Sequence, residues 1–139
     1  MAQPIRNVMS KNVLKLPGTA TIADAARTMR DSNVGAVIIE DQGKPCGLVT
    51  DRDIVVRAIA QDRDPKNTKL SDACSKTLVS LAPDDDTDRA VEVMRERSVR
   101  RVPVVENGKV VGIVSLGDLA IERDRKSVLG TISAAPPNQ

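Results

Sequence analysis

Two short motifs hold the residue types that could do chemistry. Thr50-Asp51-Arg52-Asp53 and Ser115-Leu116-Gly117-Asp118 share one pattern: a hydroxyl, two residues, then a carboxylate. At a helix start, this spacing places the hydroxyl residue at the N-cap and the carboxylate at the third helical position. Each side chain then satisfies a free backbone N–H of the first turn. That structural role is complete without a ligand. The same geometry also suits one, because free N–H groups and the helix dipole favour a phosphate. A carboxylate beside them can accept two hydrogen bonds from a vicinal diol. The tetrapeptide alone leaves both readings open. Arg100 and Arg101 add planar donor forks that stay charged and match phosphate. Their structural alternative is a surface pair that solubilises an edge strand.

Composition removes other chemistries. The 139 residues contain no histidine and no aromatic residue. There is no histidine general base, no Ser-His triad and no imidazole metal ligand. No nucleophile–base pair stands out, so the chain reads as a non-enzyme. Single-stranded nucleic acid would find no stacking platform. A formal charge of +2 argues against a protein-wide nucleic-acid footprint. Arg95, Arg97, Arg100 and Arg101 form a local run that reads as a solvated helix end. Asp84-Asp85-Asp86 reads as a negatively charged helix cap rather than a metal site. Cys46 and Cys74 without histidine make a poor zinc site. They read as buried, reduced, non-catalytic thiols, which fits a cytoplasmic protein. No apolar run approaches the roughly 18 residues of a membrane span, and Met1–Ser10 lacks the apolar stretch of a signal peptide.

The elements that position the motifs occur twice. Offset by 65 positions, residues 5–54 lie over 70–119 without a gap. Gly43-Lys44 falls on Gly108-Lys109, and Gly47 to Asp53 falls on Gly112 to Asp118. A unit repeated in this way is one that does not bury its apolar face alone. Each repeat reads strand, helix, strand, strand, helix. Short strands at 13–16 and 78–81 end at Pro17-Gly18 and Pro83. Helices follow from Thr21 and Asp86, with apolar stripes Ile22, Ala25, Ala26, Met29 and Ala90, Val91, Met94. Asn33 and Ser98 end them. β-Branched arms follow, turning at Gly43 and at Asn107-Gly108, where a tight hairpin needs positive φ. The second helix of each repeat starts at Thr50 or Ser115. The expected division is repeat one over 5–60, a linker over 61–69, repeat two over 70–126 and a tail over 127–139 whose end is disordered.

This order of elements, twice, with Gly-Leu-Val-Thr-Asp-Arg-Asp and Gly-Ile-Val-Ser-Leu-Gly-Asp after the hairpins, resembles a tandem pair of CBS domains, the Bateman module. Val99 to Val105 is a second match. Thr-Asp-Arg-Asp-Ile-Val also resembles the small stand-alone bacterial members of the hypoxic response type. The resemblance implies an α/β (α+β) fold: tandem β-α-β-β-α repeats packed as one pseudo-twofold domain, with clefts where the repeats meet. It implies a regulatory module for adenosine-containing ligands: AMP, ADP, ATP, sometimes S-adenosylmethionine or NAD. It implies a homodimer in a flat assembly of four repeats, and no required cofactor. On this pattern Asp53 and Asp118 would hold ribose hydroxyls. Thr50 and Ser115, with Arg100 or Arg101, would meet phosphates. Val37, Val102 and Pro103 would line the base. The repeats differ: Gly35-Ala36-Val37-Ile38 stands where repeat two has Arg100-Arg101-Val102-Pro103. Pro103 lacks a backbone donor, so the strand is expected not to pair normally there, leaving backbone open to a base edge. Repeat two therefore carries the fuller site. The alternative is a ligand-free interaction module acting through dimerisation or a partner protein.

Overall fold

A computed structural model describes residues 2–73 and 78–125. Cys74 and the tail over 127–139 lie outside the described residues. The chain divides into two compact units. One is built from Val13–Leu78; the other joins residues up to Asn12 with those from Val79 onward.

The first unit has β1 (Lys15–Pro17), α1 (Ile22–Ser32), β2 (Ala36–Asp41) and β3 (Lys44–Thr50). β1 runs parallel to β2, with Lys15 opposite Ile38, and β2 runs antiparallel to β3. Thr21 and Asp24 form the expected capping box at the start of α1. Asn33 ends it in the left-handed conformation, φ 53°, a state that asparagine tolerates. Gln42 and Gly43 both have positive φ, 53° and 77°, as a two-residue hairpin turn requires. Ile22, Ala25 and Met29 of α1 pack on Val37, Ile39 and Val49 of the sheet. Ala26, expected on that stripe, is exposed; the sheet covers a narrower face than the apolar pattern offers. After β3 the chain enters α2 (Asp51–Asp53) and continues as a π-helical stretch, Ile54–Ile59. Bonds of five-residue spacing mark its end, from Ala60 N–H to the Val55 carbonyl (2.9 Å) and from Arg63 N–H to the Ala58 carbonyl (2.9 Å). A short helix, α3 (Leu70–Ala73), completes the unit.

The second unit repeats this plan with α4 (Thr87–Arg97), β4 (Arg101–Glu106), β5 (Lys109–Ser115) and α5 (Leu116–Arg125). Asp86 caps α4, accepting from Arg89 N–H at 2.9 Å, and Ser98 closes it at φ 55°. Asn107 and Gly108 repeat the hairpin turn at φ 54° and 79°. The core is Ala90, Val93 and Met94 against Val102, Val104 and Val114, with Leu81 and Leu119. Val91, expected in the stripe, is half-buried, and Val93 takes the buried place.

One difference between the units follows from Pro103. In the first, Ile38 N–H donates to the Leu14 carbonyl at 2.8 Å, extending the parallel ladder beyond β1. In the second, Leu81 meets β4 only as an isolated parallel bridge to Val104. Leu81 N–H donates to the Pro103 carbonyl (3.0 Å) and Val105 N–H to the Leu81 carbonyl (2.8 Å). The next donor in that register would be residue 103, which is proline and has none. Pro103 still pairs with Ile113 in the antiparallel hairpin. The interruption lies on one edge of β4 alone.

The leading segment of each repeat seats in the other repeat's unit. Ile5 is buried among Ala90, Val93, Val102 and Val114. Leu70, its equivalent 65 positions on, is buried among Ile22, Val37 and Val49. Their backbone bonds match. Ile5 N–H donates to the Asp85 carbonyl (2.7 Å), and Leu70 N–H to that of Ala20 (2.8 Å). Arg6 N–H donates to the Pro83 carbonyl and Ser71 N–H to that of Gly18, both at 3.1 Å. Further along the first leader, Ser10 adds to the β5 edge through a reciprocal pair with Ile113. A Cβ on Gly112 would sit 2.9 Å from the Ser10 backbone carbonyl oxygen, so this close approach favours glycine.

Candidate functional site

Both hydroxyl–carboxylate motifs are capping boxes with the same geometry. Thr50 N–H donates to Asp53 Oδ2 at 2.9 Å, and Asp53 N–H to Thr50 Oγ1 at 3.1 Å. Ser115 N–H donates to Asp118 Oδ2 at 2.9 Å, and Asp118 N–H to Ser115 Oγ at 3.1 Å. The cap thus fixes each carboxylate and uses one of its oxygens. All four residues are half-buried. The second oxygen, Oδ1, takes no part in the cap.

The hairpins bring the arginines to these caps. Arg101 pairs directly with Ser115 across β4 and β5. Leu116 N–H donates to the Arg100 carbonyl at 2.8 Å, tying the strand's entry to the first residue of α5. Arg100 is exposed and Arg101 half-buried. Arg100, Arg101, Ser115 and Asp118 therefore gather at one end of the second unit. In the first unit the same contacts join Ala36 to Thr50 and Asp51 N–H to the Gly35 carbonyl (3.0 Å). The backbone is the same, and positions 35 and 36 carry no cationic side chain.

The apolar residues expected against a base divide by face. Val37 and Val102 are 0% and 1% exposed and belong to their units' own cores. Strand alternation turns them toward α1 and α4, where their side chains pack in the core. Pro103 is buried but falls on the opposite face of β4, as does its equivalent Ile38 on β2.

A charged position escaped the sequence reading. Arg57 Nε lies 3.9 Å from Asp53 Oδ1. The equivalent residue in the second repeat is Glu122. The 65-residue offset carries this reversal of charge, but it falls beyond the aligned motif.

Cys46 is free and half-buried rather than fully buried. Its thiol donates to the Ile39 carbonyl at 3.4 Å, beside the register shift between Ile39 and Glu40. Desolvation first, then the Asp41 charge, pushes the thiol pKa up. That is the environment of an unreactive thiol. Among the described residues no cluster of three or more Cys, Asp or Glu is arranged to hold a metal, and no helix is long and apolar enough to cross a membrane.

The CBS domain family model matches residues 5–59 and 70–125. The chain is 39% identical over 119 residues to the CBS domain-containing protein YhcV of Bacillus subtilis, covering 86% of this chain and 84% of that protein. Among solved structures, it is similar to the hexameric CBS-CP12 protein from bloom-forming cyanobacteria, with a TM-score of 0.83 and 28% identity, covering 89% of this chain and 73% of that one. It is also similar to Hypoxic Response Protein I with two coordinated zinc ions, with a TM-score of 0.74 and 31% identity, covering 85% of this chain and 97% of that one.

Proposed function

The chain belongs to the CBS domain family, whose paired domains are generally regulatory, and we propose that it is a non-catalytic sensor of an adenosine-containing ligand such as AMP, ADP or ATP. One observation carries this reading. On hairpins that match up to the cap, the second unit alone places two arginines on the strand entry facing its Ser-Asp cap, whereas the first unit's cations, Arg52 and Arg57, stand on the helix side of its cap. The cap itself does not need the strand-entry arginines, because Gly35 and Ala36 serve the same backbone in the first unit. In this reading Asp118 Oδ1 accepts the ribose hydroxyls. Ser115, the start of α5 and Arg100 or Arg101 meet the phosphate. Pro103 has no donor for the facing Val79 carbonyl, and that carbonyl is the backbone group offered to the base. The clefts between repeats are part of the proposal, as is a cytoplasmic setting.

Calorimetry with AMP, ATP and adenosine on Asp118→Ala and Asp53→Ala proteins shown to be folded tests it. Losing a charged hydrogen-bond partner costs about 1.5–3 kcal/mol, or roughly tenfold or more in affinity. Asp118→Ala should weaken every adenosine ligand. Arg100→Ala should weaken AMP and ATP but spare adenosine. Loss on Asp53→Ala alone would place the ligand in the other repeat. Absence of binding at millimolar concentration would refute the reading.

A second reading has its own observation. Val55, Val56 and Ile59 of the first unit are 59%, 45% and 54% exposed, an apolar face of the kind that joins copies. Self-association through this face, as a homodimer, would make the chain an interaction module with or without a ligand. Light scattering at micromolar concentration on the unmodified chain and on Val55→Glu separates the two. A monomer in both removes the interaction reading.

A further inference from the structure

The two caps are alike in backbone and opposite in charge one turn on. Thr50 takes Asp53 Oδ2 (2.9 Å), so Oδ1 is the oxygen left for a ligand. Arg57 Nε stands 3.9 Å from that oxygen, four residues along the same helical run, with side-chain exposures of 49% and 26% for Arg57 and Asp53. In the second repeat, position 122 is glutamate and offers no cation to Asp118. Both Asp side chains are held by the same pair of cap bonds; beyond them the outer oxygens differ in the charge at position 57 or 122, carried on a π-helical stretch in the first repeat and on an α-helix in the second.

We propose that Arg57 is a built-in competitor for the outer oxygen of Asp53, so that the first repeat is a self-masked site while Glu122 leaves its counterpart in the second repeat open. The proposal rests on the adenosine reading above and adds to it an order of filling: second repeat first. A ribose hydroxyl that approaches Asp53 shares its outer oxygen with a guanidinium 3.9 Å away; one that approaches Asp118 meets no cation from position 122 of its own helix. An exposed pair at this spacing corresponds to about a twofold change in affinity. Arg57 is thereby a positioning residue, which acts on the ligand through Asp53.

The probe is adenosine, which carries no phosphate and so isolates the ribose contact. Each repeat is isolated by removing the other's carboxylate. In Asp118→Ala protein, adding Arg57→Gln should tighten adenosine about twofold, and Arg57→Lys should leave it unchanged. In Asp53→Ala protein, adding Glu122→Arg should weaken adenosine about twofold. A purely structural role would not give opposite signs at equivalent positions. Unchanged or weaker binding with Arg57→Gln overturns the proposal. So does a loss confined to AMP, which would make Arg57 a phosphate ligand instead. If the unmodified chain binds AMP but Arg57→Gln has no effect, only this proposal falls. If the unmodified chain binds neither AMP nor adenosine, the sensor reading falls and takes this one with it.

Discussion

Exchange of the leading segments predicts that damage to one end of the chain appears in the opposite repeat. Ile5 is fully buried, 0% exposed, in a core otherwise built from residues 81–119. Ile5→Ala removes apolar surface and leaves a cavity bounded by Val93, Val102 and Val114. A substitution of this kind costs about 2–5 kcal/mol, a large share of the roughly 5–15 kcal/mol by which a domain is stable. The segment keeps its backbone bonds to the Asp85 and Pro83 carbonyls (2.7 and 3.1 Å), so it should stay seated and the cavity should persist, which keeps the cost from falling below that range. Hydrogen exchange read by mass spectrometry gives the location. Exchange should rise in peptides over 79–119 and far less in those over 15–59. Leu70→Ala should give the reverse, loosening α1 and β2. If Ile5→Ala instead loosens 15–59, each leader packs with its own repeat and the exchange reasoning is wrong.

Three further outcomes follow from single residues. Pro103→Ala supplies the missing donor opposite the Val79 carbonyl; its amide should exchange slowly by NMR, as that of Ile38 should, and fast exchange would show that proline is not what interrupts the ladder. In Cys74→Ser protein, Cys46 should react with a thiol reagent at pH 8 more slowly than a free small thiol, because burial raises its pKa and depletes the thiolate; a faster reaction would contradict the geometry. Asp24 is held below its ordinary pKa of 3.8, first by Thr21 N–H and then by Arg27, so its contribution is present above 3.8 and is lost as pH falls through the lower folded value. Urea midpoints of the unmodified chain and Asp24→Asn should therefore differ at pH 6 and converge in acid; a gap that persists below the folded value would show that the carboxylate's charge is not the cause.

What the sequence made legible is what depends on local pattern. Thr21 and Asp86 as caps, Asn33 and Ser98 as helix ends, and Gly43 and Gly108 in the turns are each dictated by residues within a few positions. The two site caps were legible for the same reason, since a hydroxyl and a carboxylate three apart fix their own geometry. Non-local facts were not. Offset comparison shows that Ile5 and Leu70 are equivalent, but equivalence is preserved whether each stays at home or both cross over. Val102 reads as apolar in a strand; only the register shows which face it takes. The π winding at Ile54–Ile59 also has no counterpart in α5, although both begin at the same cap. Where the halves share a backbone and differ in side chain, packing does not require the difference. Arg100 against Gly35, Arg101 against Ala36 and Glu122 against Arg57 all lie within one turn or one strand pair of a cap. At the strand entries, Arg100 and Arg101 change charge and leave the equivalent bonds in place. A scaffold duplicated for stability alone would have no reason to concentrate opposite charges there, and that concentration is the physical ground for seeking the ligand at Asp118.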